Sequence, residues 1–199
     1  MLPAGELEPA LATIAPVPVS GPFFRTVAFK YLRGAGRVAP NILSGVPGRQ
    51  RGGRYNQAGG ARTTYMAESA ETALSEGIRP FLGSGVASAL SRPLVMLTVR
   101  GQLHRVLDLL DSSVQARVGT NSAELVAPYL LDALKGEPAT QRLGRLAYLS
   151  GRFEAIRGPS AQQPRGHTIA VFSERVVAPS KLQVYDPDGI LTEELPEGS

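Results

Sequence analysis

The chain has 199 residues, 43% of them apolar, which suits one packed domain with or without an added arm. It has no cysteine and only two histidines, His104 and His167, in separate segments, which excludes a disulfide framework and a thiolate or paired-histidine metal site. The net charge is +4, carried by three lysines (Lys30, Lys135, Lys181) and otherwise by arginines, whose planar forks match phosphate oxygens. Nucleic acid, a phosphate ligand and an acidic partner are all compatible with it.

Residues 1–21, MLPAGELEPALATIAPVPVSG, are Pro/Ala-rich and aperiodic, and read as an extended arm. They lack the basic n-region of a secretory signal, and no stretch of the chain approaches the ~18 continuous apolar residues of a membrane span. FFRTVAF, 23–29, mixes aromatic and β-branched residues and predicts a strand. Residues 30–53 carry Gly, Arg and Pro and read as a long loop. TTYMA, 63–67, predicts a short strand. SAETALSEGI, 69–78, predicts a helix N-capped by Ser69, with Glu71 in its first turn and Pro80 as its stop. PLVMLTVRG, 93–101, and RVLDLL, 105–110, read as two strands of a hairpin joined through GQLH. NSAELVAPYLLDALK, 121–135, has helical spacing with Pro128 dividing it, and QRLGRLAYLS, 141–150, predicts another helix. FEAIRG, HTIAVFSERV and KLQVYDP read as strands, with GPSAQQPRG a turn-rich loop between the first two. Strands and helices are interspersed without βαβ alternation, so the fold class is α+β.

GGRY at 52–55 lies in the stretch RGGRYNQAGG. It lacks the GK[ST] of a P-loop and the GxGxxG of a dinucleotide fingerprint. Two readings remain. The stretch is a plain basic turn, or Gly52 and Gly53 bare the backbone so that a phosphate can approach while Arg54 grips it. An RGG-like RNA-binding segment is disfavoured, because the motif occurs once and leads straight into a strand–helix unit. Tyr65 alternates within its strand and either lines the core or forms an aromatic wall for a flat ring. Glu76 shares a helix face with Ser69, Thr72 and Arg79, so a solvated Glu76–Arg79 pair is one reading. Arg25 lies inside an apolar strand and needs a buried or bound partner unless that strand faces solvent on one side. Ser160 follows Pro159 as a turn or cap residue, without the G-x-S-x-G context of a nucleophile.

Taken in order, FFRT, GGRYNQAGG, TYMAES, ALSE and IRGPSA resemble the RES-domain family over residues 22–176, with Arg54, Tyr65 and Glu76 each eleven residues after the last. Tyr55 stands where that family commonly has Trp. The resemblance implies an α+β fold with an ADP-ribosyltransferase-like split β-sheet core and flanking helices. The domain would occupy 22–190, between the arm and an acidic tail at 191–199. It implies a bacterial toxin of a toxin–antitoxin module that cleaves the nicotinamide N-glycosidic bond of NAD⁺, as a glycohydrolase or phosphorylase. The alternatives are a mono-ADP-ribosyltransferase acting on a protein and, from another class, a non-catalytic RNA- or polyanion-binding module. By motif, Glu76, Arg54, Tyr65 and Ser160 would be catalytic. Arg25, Gly52, Gly53, Arg54, Tyr55, Tyr65 and Ser160 would bind NAD⁺. Glu76 would stabilise charge on the ribose, Tyr65 stack on nicotinamide, Arg25 and Arg54 hold the diphosphate, and Ser160 orient Glu76 or a ribose hydroxyl. NAD⁺ enters as substrate, with no resident cofactor and no metal. A cognate antitoxin or immunity protein is the expected partner, and neither nucleic acid nor membrane is. The expected location is the cytoplasm, of the producing cell or of a target cell.

Overall fold

The computed structural model describes residues 1–29, 32–34, 37–38, 42–82, 93–129 and 136–196, the side chains at 33, 34, 37, 38 and 79–82 excepted. In chain order its elements are α1 (Ala4–Thr13), β1 (Val17–Ala28), β2 (Arg33–Gly34), β3 (Arg37–Val38), α2 (Val46–Arg51), β4 (Thr63–Ala67), α3 (Ala70–Leu82), β5 (Leu94–Asp108), α4 (Ser112–Arg117), α5 (Ser122–Val126), α6 (Ala139–Leu149), β6 (Ala155–Pro159), β7 (His167–Phe172), β8 (Lys181–Tyr185) and β9 (Glu194–Leu195).

The fold is α+β, a sheet core with flanking helices. The sheet is built from two blocks. In one, β7 lies between β4 and β6, antiparallel to both. In the other, β5 pairs antiparallel with β1 along nearly the whole of β1, and with β8, which carries β9 at its edge. Two short seams join the blocks. Phe24 of β1 meets Ala67 of β4, and Val106–Asp108 of β5 run parallel to Ala155–Arg157 of β6. β7 is apolar on both faces, as a strand buried on both sides requires. Ile169 and Val171 join a core with Phe23, Met66, Val99 and Leu103, while Ala170 and Phe172 join a second core with helices α1 and α6.

Several expectations change. The arm expected to be extended is a docked helix. Leu7, Leu11 and Ile14, spaced i, i+4, i+7, are buried against the second core, and the chain then passes directly into β1. The predicted hairpin at 93–110 is one unbroken strand, β5. Gly101 is there for space and not for a turn, because a Cβ would run into the ring of Phe23 and into Leu182. Helix α3 continues through Pro80 to Leu82. The helix predicted over 121–135 is described at Ser122–Val126, breaks before Pro128 and is helical again at Tyr129, and its part at 130–135 lies outside the described residues, as do 30–31, 35–36 and 39–41 of the predicted long loop. The described part of that loop contains β2, β3 and α2. The segment expected to be an acidic tail adds β9 to the sheet edge, and the Glu193 carboxylate accepts from Ile42 N at 2.6 Å and Leu43 N at 2.8 Å. Residues 197–199 lie outside the described residues.

Candidate functional site

Helix α3 presents Glu76. Its start is capped as expected, Thr72 N donating to Ser69 Oγ at 3.1 Å. Gly77 lets the helix lie close on β1, because a Cβ there would be 2.7 Å from Cβ of Thr26. The half-buried Glu76 carboxylate points at the loop that leaves β6. Ser160 Oγ donates to Glu76 Oε1 at 2.6 Å, and Ala161 N donates to the same oxygen at 3.1 Å. Ser160 Oγ also accepts from Gln162 N at 3.1 Å and Gln163 N at 3.0 Å, which directs its proton toward Glu76. Ser160 N donates to Gly166 O at 2.8 Å, closing the loop. The reading of Glu76 as a solvated partner of Arg79 gives way to this cross-chain pairing; the Arg79 side chain lies outside the described residues.

The GGRY loop is held by Tyr65. The Tyr65 hydroxyl donates to Asn56 Oδ1 at 2.7 Å and accepts from Tyr55 N at 2.9 Å. Burial pushes this phenol far above its ordinary pKa, against the opposing pull of the Tyr55 N–H. The bare backbone has an internal cause. Gly52 has φ 72°, and a Cβ at Gly53 would lie 2.6 Å from the Tyr65 hydroxyl oxygen. At Gly53 the protein's own tyrosine ring and hydroxyl fill the space beside the backbone. Tyr55, expected to contact substrate, is only 2% exposed. Its ring forms part of the second core, and its hydroxyl lies against Gly158, where a Cβ would be 2.7 Å away. It supports the site from beneath. Burial pushes its pKa up to about 12, with Arg54 pulling it down and Glu76 pushing it further up. Among the described residues the Tyr55 hydroxyl has no hydrogen-bond partner.

Arg54 is partly spent on the fold. Its Nη1 donates to Leu125 O at 2.7 Å and Ala127 O at 2.9 Å, closing the C-terminal end of α5, and its guanidinium lies 5.1 Å from the ring centroid of Tyr129. Arg25 Nη1 donates to Tyr65 O at 2.7 Å, bridging β1 and β4 near their narrow seam. Burial lowers the Arg25 pKa to about 10, with Glu193 opposing, so the side chain remains a cation at neutral pH. Its Nε is buried without a partner among the described residues.

The structure thus links the sequence candidates in one path. Arg25 holds the Tyr65 carbonyl, Tyr65 holds the Arg54–Tyr55 loop, the Tyr55 ring reaches Gly158, and Ser160 binds Glu76. The sequence reading missed Asn56 and Gln141. Asn56 Nδ2 donates to Gly48 O at 2.8 Å, and Gln141 Nε2 to Gly53 O at 2.8 Å, so both brace the loop. Asn56 directly follows GGRY and carried a local signal; Gln141 sits in a separate helix and carried none. A groove of about 370 Å³ lies behind the loop against α6, lined by Arg49, Asn56, Arg145, Tyr148 and Glu174 among others. None of Arg25, Arg54, Tyr65, Glu76 or Ser160 lines it, so it is separate from the Glu76–Ser160 pairing. Among the described residues, no three His, Asp or Glu side chains could hold a metal, and no helix is long and apolar enough to cross a membrane.

The family model for the RES domain matches residues 24–192. A chain of the crystal structure of the M. tuberculosis MbcT-MbcA toxin-antitoxin complex superposes with a TM-score of 0.66 at 22% identity, covering 91% of this chain and 90% of that one. At that identity the likeness is one of fold. No curated protein matched the sequence.

Proposed function

We propose, from the premise that this chain belongs to the RES-domain family, that it is an enzyme cleaving the bond between nicotinamide and ribose in NAD⁺. The single observation that carries this reading is the Ser160–Glu76 bond of 2.6 Å. It unites, across 84 residues, the family glutamate and the family serine.

The chemistry suits one oriented carboxylate. Nicotinamide leaves as a neutral group from a pyridinium, so no general acid is required. The ribose passes through an oxocarbenium-like state, as in glycoside hydrolysis. Glu76 binds a ribose hydroxyl and stabilises the developing positive charge. Both hydrogen bonds from the loop fall on Oε1, which leaves Oε2 as the oxygen for the sugar. Ser160 is the positioning group that aims the carboxylate. Tyr65 supplies an aromatic edge while its hydroxyl holds the loop. Arg25, charged and with an Nε that has no partner among the described residues, and the remaining nitrogens of Arg54 supply the cationic side for the diphosphate. Gly52 and Gly53 shape the loop, and Tyr55 stays beneath it.

Water as acceptor gives ADP-ribose, inorganic phosphate gives a phosphorylated ADP-ribose, and a protein side chain gives an ADP-ribosylated protein. The purified chain incubated with NAD⁺, with and without phosphate and with and without a cell lysate as a source of protein acceptors, and the products identified by mass, separates the three. No loss of NAD⁺ under any condition overturns the reading. An enzyme of this kind acts as a toxin, and the toxin–antitoxin complex of the fold neighbour supports an antitoxin as the partner that restrains it.

A further inference from the structure

Glu68 ends the motif strand at the root of α3, and the reaction scheme above gives it no part. Its carboxylate receives Arg157 as a fork, Nε to Oε1 at 2.6 Å and Nη2 to Oε2 at 2.9 Å. The remaining Arg157 nitrogen, Nη1, donates to Asp108 Oδ2 at 3.0 Å. His167 Nδ1 lies 3.1 Å from Glu68 Oε2, and Glu68 N donates to His167 O at 3.1 Å. Burial alone would raise the Glu68 carboxyl, but the Arg157 and His167 contacts hold it below its usual value.

The cluster sits where the two halves of the site diverge. Glu68 leads through Ser69 into α3, which carries Glu76. Arg157 lies on β6, three residues before Ser160. β4 and β6 do not pair; β7 lies between them, so the Glu68–Arg157 fork spans a whole strand. Lone half-exposed ion pairs contribute little to stability, whereas a planar two-bond fork fixes direction.

We propose that the Glu68–Arg157 pair is a positioning device that sets the distance between Glu76 and Ser160. This inference rests on the NAD⁺-cleavage reading for its kinetic consequence, and on geometry alone for its structural one. Asp108 holds the outer nitrogen of the arginine, and His167 Nδ1 reaches Glu68 Oε2 from outside the two-bond fork.

The test uses the full chain carrying Glu68→Gln, Arg157→Lys, His167→Asn, Ser160→Ala and the double variant Glu68→Gln/Ser160→Ala. Glu68→Gln and Arg157→Lys are expected to lower kcat for NAD⁺ loss by up to roughly tenfold, no more than Ser160→Ala does, with KM unchanged. His167→Asn keeps the fork and wild-type kcat. The double variant is no slower than Ser160→Ala, because both changes act through one contact. A further loss in the double variant, or an equal loss in His167→Asn, overturns the proposal. Amide hydrogen exchange supplies a readout that needs no turnover. Glu68→Gln is expected to lose protection at Ala161, Gln162 and Gln163 at an unchanged thermal midpoint, and undiminished protection there overturns it. Were the wild type to leave NAD⁺ intact, the reaction assigned above would fall while the exchange result still decided the positioning role.

Discussion

Ser160 Oγ and Glu76 Oε1 meet at 2.6 Å, one at the exit of a strand and the other in the middle of a helix that lies over the neighbouring block of sheet. Neither residue has a partner of this kind in its local sequence. The bond exists because α3 departs from β4 and the serine loop from β6, with β7 setting the spacing between them.

Glu76→Ala is expected to lower kcat for NAD⁺ loss by about 10²–10³, with the thermal midpoint little changed. Ser160→Ala leaves the Ala161 N–H on the carboxylate and is expected to cost less, roughly tenfold. Steady-state kinetics on the two variants checks the order; a Ser160→Ala enzyme slower than Glu76→Ala would make the serine more than a positioning group.

Tyr65→Phe removes a donor from Asn56 Oδ1 and an acceptor from Tyr55 N. Two loop groups then lose their partners, which is expected to lower stability by about 1–3 kcal/mol in urea unfolding. A neutral result would mean that the GGRY loop does not depend on the tyrosine hydroxyl.

Arg54→Ala releases the carbonyls of Leu125 and Ala127. Faster amide exchange through Ser122–Ala127 is expected together with a raised KM for NAD⁺. An increase in KM without any change in exchange would assign the arginine to ligand alone.

Alkaline stability should report Tyr55. Its folded pKa, about 12, lies above the ordinary phenol value of 10.0, so its contribution is complete below pH 10 and is lost as the pH rises toward 12. Arg25 works in the other direction, because its folded pKa of about 10 lies below its ordinary value and deprotonation above pH 10 favours the folded form. The difference between wild type and Tyr55→Phe isolates the phenol. Urea unfolding of the two between pH 9 and 12 is expected to show a steeper decline in the wild type, and parallel declines would contradict a buried neutral hydroxyl.

Leu11→Ala is expected to cost about 2–5 kcal/mol, the penalty for truncating a fully buried leucine. A loss below about 0.5 kcal/mol, the usual scale of a surface substitution, would return α1 to the status of an appendage.

Element types were legible wherever local pattern and tertiary demand agreed. TTYMA, HTIAVF and KLQVY are strands, and Ser69 caps the helix that its hydroxyl predicted. The α+β class followed from strands and helices interspersed without βαβ alternation. Misreadings occurred where one residue type serves two purposes. Gly101 suggested a turn, although it clears space beneath Phe23, and Pro9 concealed the leucine spacing of α1. Within the site, Glu76 and Ser160 came from ordered motifs rather than from periodicity, which placed Glu76 beside Arg79. The uses of Gly53, Arg54 and Tyr55 were hidden for a physical reason. Bare backbone beside fixed charge looks the same in sequence whether a ligand, a tyrosine ring or a helix end fills the space.

β5 is the longest strand, and it borders β1, which precedes it, and β6 and β8, which follow it. A ribosome delivers those neighbours at different times, so one edge of β5 stays open until β6 and β8 have been made. A chain released early, before residue 160, would carry the acidic helix with nothing to aim it. Synthesis halted there would yield fragments that carry the Glu76 carboxylate without either of the hydrogen bonds that fix it.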